Sequence, residues 1–192
     1  MSKIILASTS PYRQNILGKL HIEFDVVAPQ VDETRLPNER PEQLVTRLAV
    51  NKAKAVASTH TDALIIGSDQ VATFAQQILG KPVTHDNAIR QLQQLSGQKV
   101  TFYTGLCLYN SASSQQQLAC VPFIVHFRSL TDQQIERYLR IEQPYNCAGS
   151  FKSEGFGISL FEKLEGDDPN TLIGLPLIEL VRMLDKEGIV IP

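Results

Sequence analysis

The stretch Ala63-Leu64-Ile65-Ile66-Gly67-Ser68-Asp69-Gln70 constrains this chain more than any other. A short, unbroken apolar run with β-branched residues specifies a buried strand. It stops at a Gly-Ser step and then presents an acid, Asp69. A carboxylate at the mouth of a core strand needs a partner, because burying a bare charge is costly. A few residues on, Leu79-Gly80-Lys81-Pro82 sets a lysine in a tight turn. An acid and a lysine bracketing one short hairpin suit a metal and a phosphate. Taken singly, Asp69 also reads as a turn cap and Lys81 as a solvated cation.

The 192 residues suffice for one α/β domain or two small lobes, and 43% hydrophobic with 20% charged residues is ordinary for a globular protein. A net charge of −2 gives no field suited to a nucleic-acid polymer, so none is expected as a partner. A small phosphorylated ligand needs only a local basic cluster. Cys107, Cys120 and Cys147 include no C-x-x-C pair, which points away from a zinc ribbon and from a disulfide framework. His21, His60, His85 and His126 are scattered. Ile4-Ile5-Leu6-Ala7 is too short for a signal-peptide core, and no run reaches transmembrane length. No membrane partner and a cytoplasmic location are therefore expected.

In chain order, residues 3–7 read as a first strand, followed at once by Ser8-Thr9-Ser10-Pro11. Ser10 suits an N-cap and Pro11 the first helical position of a helix running to about Leu20. Hydroxyls, free backbone N–H groups, the positive end of a helix and Arg13 make either an anion site or an ordinary capped helix with a solvated arginine. Residues 23–28 read as a second strand. It leads to Asp32 and Glu33, of which only one can face a given site, since neighbours in extended chain point oppositely. Pro41 opens a helix to about Ser58 with Val45, Leu48, Ala49, Ala53 and Val56 as its apolar stripe. Lys52 falls inside that stripe, so it either snorkels or meets a buried anion. Residues 71–74 and 77–79 read as a hairpin. Thr84 caps a helix to about Ser96, whose Gln91, Gln93 and Gln94 read as solvent-exposed surface. Residues 99–110 and 117–128 form a long hairpin. Thr131 and Gln134 fit a capping box. Ala148 to Gly157 is a glycine-punctuated segment carrying Lys152 and Glu154, residues 158–161 read as a strand, and Thr171 to about Glu187 forms a helix that Pro176 kinks or delays.

Ala7-Ser8-Thr9-Ser10-Pro11-Tyr12-Arg13, Val31-Asp32-Glu33, the Lys52 helix, Gly67-Ser68-Asp69-Gln70, Gly80-Lys81-Pro82 and Ala148 to Gly155 occur in this order. Together they resemble the Maf family of nucleotide pyrophosphatases over almost the whole chain. The resemblance implies one Maf-like domain over residues 1–192. Its fold class is α/β, a two-lobed mixed sheet with flanking helices and a central cleft, similar to the inosine triphosphate pyrophosphatases. It implies hydrolysis of a nucleoside triphosphate between the α and β phosphates with a divalent metal cation (Mg, Mn or Co). By family position Asp69 activates water, Glu33 holds the metal together with Asp69, and Ser8, Ser10, Arg13, Lys52 and Lys81 bind phosphates. A homodimer is a family expectation.

Many members carry arginine in place of Tyr12 and handle dTTP and UTP. Tyr12, Gln70 and Glu154 together look like the subfamily that hydrolyses 7-methyl-GTP. N7-methylated guanine is cationic: Tyr12 offers it a π face, about 0.5–2 kcal/mol, and Glu154 a bidentate acceptor of matching charge. The rival readings keep the chemistry but change the substrate to dTTP or UTP, or make the chain a non-catalytic nucleotide-binding regulator of cell division.

Overall fold

The computed structural model describes residues 3–191. The strands are β1 (Lys3–Ala7), β2 (Asp25–Val27), β3 (Ala63–Phe74), β4 (Gln77–Leu79), β5 (Lys99–Asn110), β6 (Gln115–Phe127) and β7 (Phe161–Glu165). The helices are α1 (Pro11–Gly18), α2 (Pro41–Ala57), α3 (His85–Leu95), α4 (Asp132–Glu142), α5 (Asn170–Ile173) and α6 (Leu177–Lys186). Strands pair in the order β2-β1-β3-β5-β6-β7, with β4 on β3. β1 is parallel to β2 and β3, whereas β3–β4 and β6–β7 are antiparallel, so the α/β fold is mixed as expected. Among the described residues no helix is long and apolar enough to cross a membrane.

The chain forms two compact units. The first comprises the chain up to Gln70, Tyr103–Val121 and the chain from Asp168; the second comprises Val71–Phe102 and Pro122–Asp167.

In the first unit β1 and the first half of β3, a parallel pair, are apolar and buried on both faces, as strands covered on both sides require. Alternation sorts the residues: Ile4, Leu6, Leu64, Ile66, Leu106 and Leu108 pack with Ile16 and Leu17 of α1 and with Leu180 and Leu184 of α6. Ile5, Ala7, Ala63, Ile65 and Cys107 pack with Ala49, Ala53 and Val56 of α2. Two strand glycines set how closely α2 lies. A Cβ on Gly67 would stand 2.1 Å from the Ala49 carbonyl oxygen, and one on Gly105 2.2 Å from that of Val45. Helix backbone therefore rests directly on strand backbone.

In the second unit Phe102, Phe127, Phe151 and Phe161 meet edge to face with centroids 4.9–5.6 Å apart. α3 buries Ala88, Leu92 and Leu95, and α4 buries Ile135, Tyr138 and Leu139. Thr84 and Thr131 cap these helices, the latter in a capping box with Gln134.

Two sequence expectations change. The strand expected at residues 158–161 is a 3₁₀ turn, Phe156–Leu160, and the strand follows as Phe161–Glu165. The chain there folds so tightly that a Cβ on Gly157 would lie 2.2 Å from the Lys152 carbonyl oxygen, a curl that extended backbone does not make. The C-terminal helix is two helices. Gly174, at φ +108, ends α5 in the left-handed region, and Pro176 precedes α6, so Pro176 acts as a late start.

Candidate active site

The first unit gathers most of the residues singled out in the sequence. α2 carries Lys52 one turn beyond Ala49, and β3 carries Asp69 two residues beyond Gly67. The close helix–strand approach at Gly67 brings the two side chains together: Lys52 Nζ donates to Asp69 Oδ1 at 2.6 Å. Lys52 is 7% exposed and Asp69 8%. The lysine does not snorkel; it meets a buried anion. It also pairs with Glu33 Oε1 at 2.7 Å. Asp32, pointing the other way, accepts from the Thr34 N–H at 2.9 Å and closes a local turn. Of the two adjacent acids, Glu33 thus joins the site and Asp32 closes its own loop.

That loop is pinned to α2 by residues with no mark in the sequence. Glu39, almost fully buried, takes a two-pronged pair from Arg47, Nε to Oε1 at 2.6 Å and Nη2 to Oε2 at 2.8 Å. Arg47 also donates to the Thr34 carbonyl, and Arg35 to that of Glu39. The hydrogen bond from Arg47 holds the Glu39 carboxyl below its ordinary value.

At the start of α1 the serines act in series. Ser8, 4% exposed, accepts from the Ser10 N–H at 3.1 Å, and Ser10 caps the helix by accepting from the Arg13 N–H at 3.4 Å. Each hydroxyl keeps its own hydrogen to donate. Arg13 is half-buried, and its Nε donates to the Gly174 carbonyl at 2.8 Å. Ser68 Oγ donates to the same carbonyl at 2.8 Å. A Cβ on Gly174 would stand 3.1 Å from Arg13 Nε, and its φ already favours glycine. Burial lowers the Arg13 guanidinium from its ordinary value, while Asp69 and Glu33 oppose that shift. Burial likewise raises the Asp69 carboxyl, against the pull of Lys52 and Arg13. The helix start is therefore more than an ordinary capped end: its arginine lies in the field of the two site carboxylates.

Tyr12 is 39% exposed, its ring available. Gln70 is committed differently. Its Nε2 donates to Thr104 Oγ1 at 2.8 Å and to the Thr171 carbonyl at 2.7 Å, which fixes the amide against the start of α5. Lys81 and Glu154 belong to the second unit and are both exposed. Burial raises the Cys147 thiol, on which the charges of Glu154 and Lys81 act in opposite directions. Glu142 orders the segment that carries Glu154. It accepts from the Phe156 N–H at 2.8 Å and pairs with Lys152 at 3.3 Å.

Glu33 and Asp69 both bond one ammonium, so their oxygens lie within two hydrogen-bond lengths of each other. Both are carboxylate oxygen donors, the ligand type a hard divalent cation takes, and such a cation would complete its shell with waters or substrate oxygens. Among the described residues no group of three or more His, Cys, Asp or Glu is poised to hold a metal alone.

Comparison with known proteins gives the family of the chain. The family described as Maf-like protein matches residues 3–187. The chain is 59% identical to the 7-methyl-GTP pyrophosphatase of Colwellia psychrerythraea, over 98% of this chain and 94% of that protein. It is 56% identical to the 7-methyl-GTP pyrophosphatase of Nitrosococcus oceani (96% and 93%) and 55% to that of Aliivibrio fischeri (98% and 97%). Among solved structures it is similar to the Staphylococcus aureus Ham1 protein, with TM-score 0.47 and 15% identity over 65% of this chain and 71% of that one. It is also similar to protein VC0702 from Vibrio cholerae, with TM-score 0.40 and 14% identity over 74% and 72%.

Proposed function

The chain belongs to the Maf family, and we propose that it hydrolyses 7-methyl-GTP to 7-methyl-GMP and pyrophosphate. The observation that carries the chemistry is the buried Lys52 ammonium held between Asp69 and Glu33 beside Arg13. The substrate comes from the relatives, named 7-methyl-GTP pyrophosphatases at 55–59% identity.

A water attacks the α-phosphorus, its proton passes to Asp69, and the bond from the α-phosphorus to the bridging oxygen breaks to release pyrophosphate. Burial raises Asp69 and so makes it a stronger base than an ordinary aspartate. Lys52 and Arg13 carry the cationic charge that offsets the build-up of negative charge on the phosphates. The hydroxyls of Ser8 and Ser10 and the N-terminus of α1 add donors that need no reorganisation. Lys81 is a further proposed phosphate-binding cation. A divalent cation, when bound, supplies charge neutralisation and a lowered pKa for water; Glu33 and Asp69 are the residues that would hold it. Tyr12 offers its ring to the methylated base and Glu154 its carboxylate. The cytoplasm, where nucleoside triphosphates are abundant, is the proposed place of work.

The test is pyrophosphate release by the purified chain with Mg²⁺ or Mn²⁺ on 7-methyl-GTP, GTP, dTTP and UTP. Preferential release from 7-methyl-GTP, abolished by EDTA, is the expected result. Preference for dTTP or UTP overturns the substrate and keeps the chemistry. No release from any nucleotide by folded protein overturns both in favour of a nucleotide-binding regulator.

A further inference from the structure

The residues proposed to contact phosphate fall into two groups. Those of the first unit are fixed by ion pairs and burial. Lys81 is exposed, and its aim depends on the turn that carries it. Pro82 restricts the backbone of Lys81, because the residue before a proline is pushed to extended conformations. The turn then tightens: the Thr84 N–H bonds back to the Pro82 carbonyl at 2.7 Å, around Val83 at φ +67. A β-branched residue in that region is strained and persists only where its surroundings hold it. Three contacts do so. The Val83 N–H reaches the Tyr145 carbonyl at 3.0 Å, Asn87 Nδ2 the Pro82 carbonyl at 2.9 Å, and Gln91 Nε2 the Gly80 carbonyl at 3.2 Å.

Gln91 differs from the other two in what it does with its second atom. Its Oε1 accepts from the hydroxyl of Ser150. Ser150 is fully buried, at φ +61, directly after Gly149 at φ +79. It heads the segment that leads through Lys152 to Glu154. One amide on α3 thus spans two strained pieces of backbone, one carrying Lys81 and the other leading to Glu154. The sequence reading of Gln91 as exposed surface is corrected here: it is half-buried and bonded at both ends, while Gln93 and Gln94 do remain exposed.

We infer that Gln91 is a positioning residue, which sets the direction of Lys81 by tying the Gly80–Pro82 turn to Ser150. The inference rests on the proposed role of Lys81 toward phosphate. It has a distinctive consequence. A residue that acts through Lys81 has nothing left to do once Lys81 is gone, whereas a merely structural residue costs the same in either background.

The experiment is a double-mutant cycle in kcat/KM for 7-methyl-GTP with Mg²⁺, using the full chain, Gln91→Leu and Lys81→Ala. Gln91→Leu should lower kcat/KM about tenfold alone and less than about twofold in the Lys81→Ala background. Gln91→Glu, which keeps the acceptor for Ser150 but loses the donor to Gly80, should recover only part of the loss. Equal losses in both backgrounds, or no loss in either, overturn the inference. Should Gln91→Leu fail to fold, Ser150→Ala replaces it in the cycle, since it removes the hydroxyl from a buried position without adding bulk. It should show the same coupling at about threefold, and its absence overturns the inference. The two levels fail differently. If Lys81→Ala alone leaves kcat/KM unchanged, the phosphate role of Lys81 is wrong. If Lys81→Ala is impaired but the losses simply multiply, that role stands and the positioning role of Gln91 falls.

Discussion

The two units hold charge in opposite ways. In the first, Lys52, Asp69 and Arg13 sit in or near the core, and each charged group leans on another. In the second, Lys81 and Glu154 stand exposed, and their order comes from neutral hydrogen bonds to backbone through Gln91, Asn87 and Tyr145 and from the Glu142–Lys152 pair. Buried charges are costly unless matched, so removing one partner harms the other. Exposed charges carry no such penalty and stay free for a ligand. The first arrangement suits groups whose protonation matters to the chemistry, and the second suits groups that must meet an incoming anion or base.

The largest expected effect lies on the buried side. Asp69→Asn should lower kcat by about 10²–10⁴-fold, the usual span for a lost general base. Its thermal midpoint should stay at or above that of the parent, because a carboxylate raised by burial is removed and Glu33 still pairs Lys52. A residual rate within twofold of the parent would take Asp69 out of the mechanism.

The two lysines give the sharpest contrast. Lys52→Met strips Asp69 of its nearest countercharge and should cost about 3 kcal/mol of stability as well as activity. Lys81→Met should cost about 10–100-fold in kcat/KM, equivalent to one charge-assisted hydrogen bond, with a midpoint within about 2 °C of the parent. Equal destabilisation by both substitutions in denaturant titration would erase the distinction between the units.

Glu39→Gln probes the pinned loop through pH. Arg47 holds the Glu39 carboxyl below its ordinary 4.5, so the stability this contributes is present above that value. It is lost as pH falls through the lowered native value. The variant should therefore be less stable near neutrality and show a flatter decline in acid, measured as midpoint against pH. An unaltered acid limb would show that Arg47 does not hold this carboxyl.

Thr84→Ala is the smallest change. It removes the N-cap of α3 and should cost about 1 kcal/mol, with kcat/KM within about twofold of the parent since Gln91 remains. A loss as large as that of Lys81→Met would mean that the cap, rather than the side-chain bridge, sets the turn.

Much of the buried group was legible in the sequence because its signals are local. A lysine on an apolar stripe either snorkels or meets an anion, an acid after a core strand calls for a partner, and only one of Asp32 and Glu33 can face the site; the geometry then supplies the anion and selects Glu33. What stayed hidden depends on partners distant in the chain. The Gly174 carbonyl that receives Arg13 lies 161 residues away, and nothing near either residue announces the other. Gln91 shows the same limit: helical periodicity gives the face on which a residue lies, but not which loops come across it. The strand expected at residues 158–161 failed because β-branched and aromatic content outweighed two glycines that curl the chain.

The two bare positions beneath α2, Gly67 and Gly105, have a consequence for how the protein tolerates change. Contact there is made by main chain on main chain, so neither position can accept a side chain without pushing the helix away. Elsewhere on this face Ala49, Ala53 and Val56 meet the sheet through side chains, where a change of size can be taken up by repacking. At the two glycines there is nothing to repack, and a single methyl would displace the helix and the lysine together.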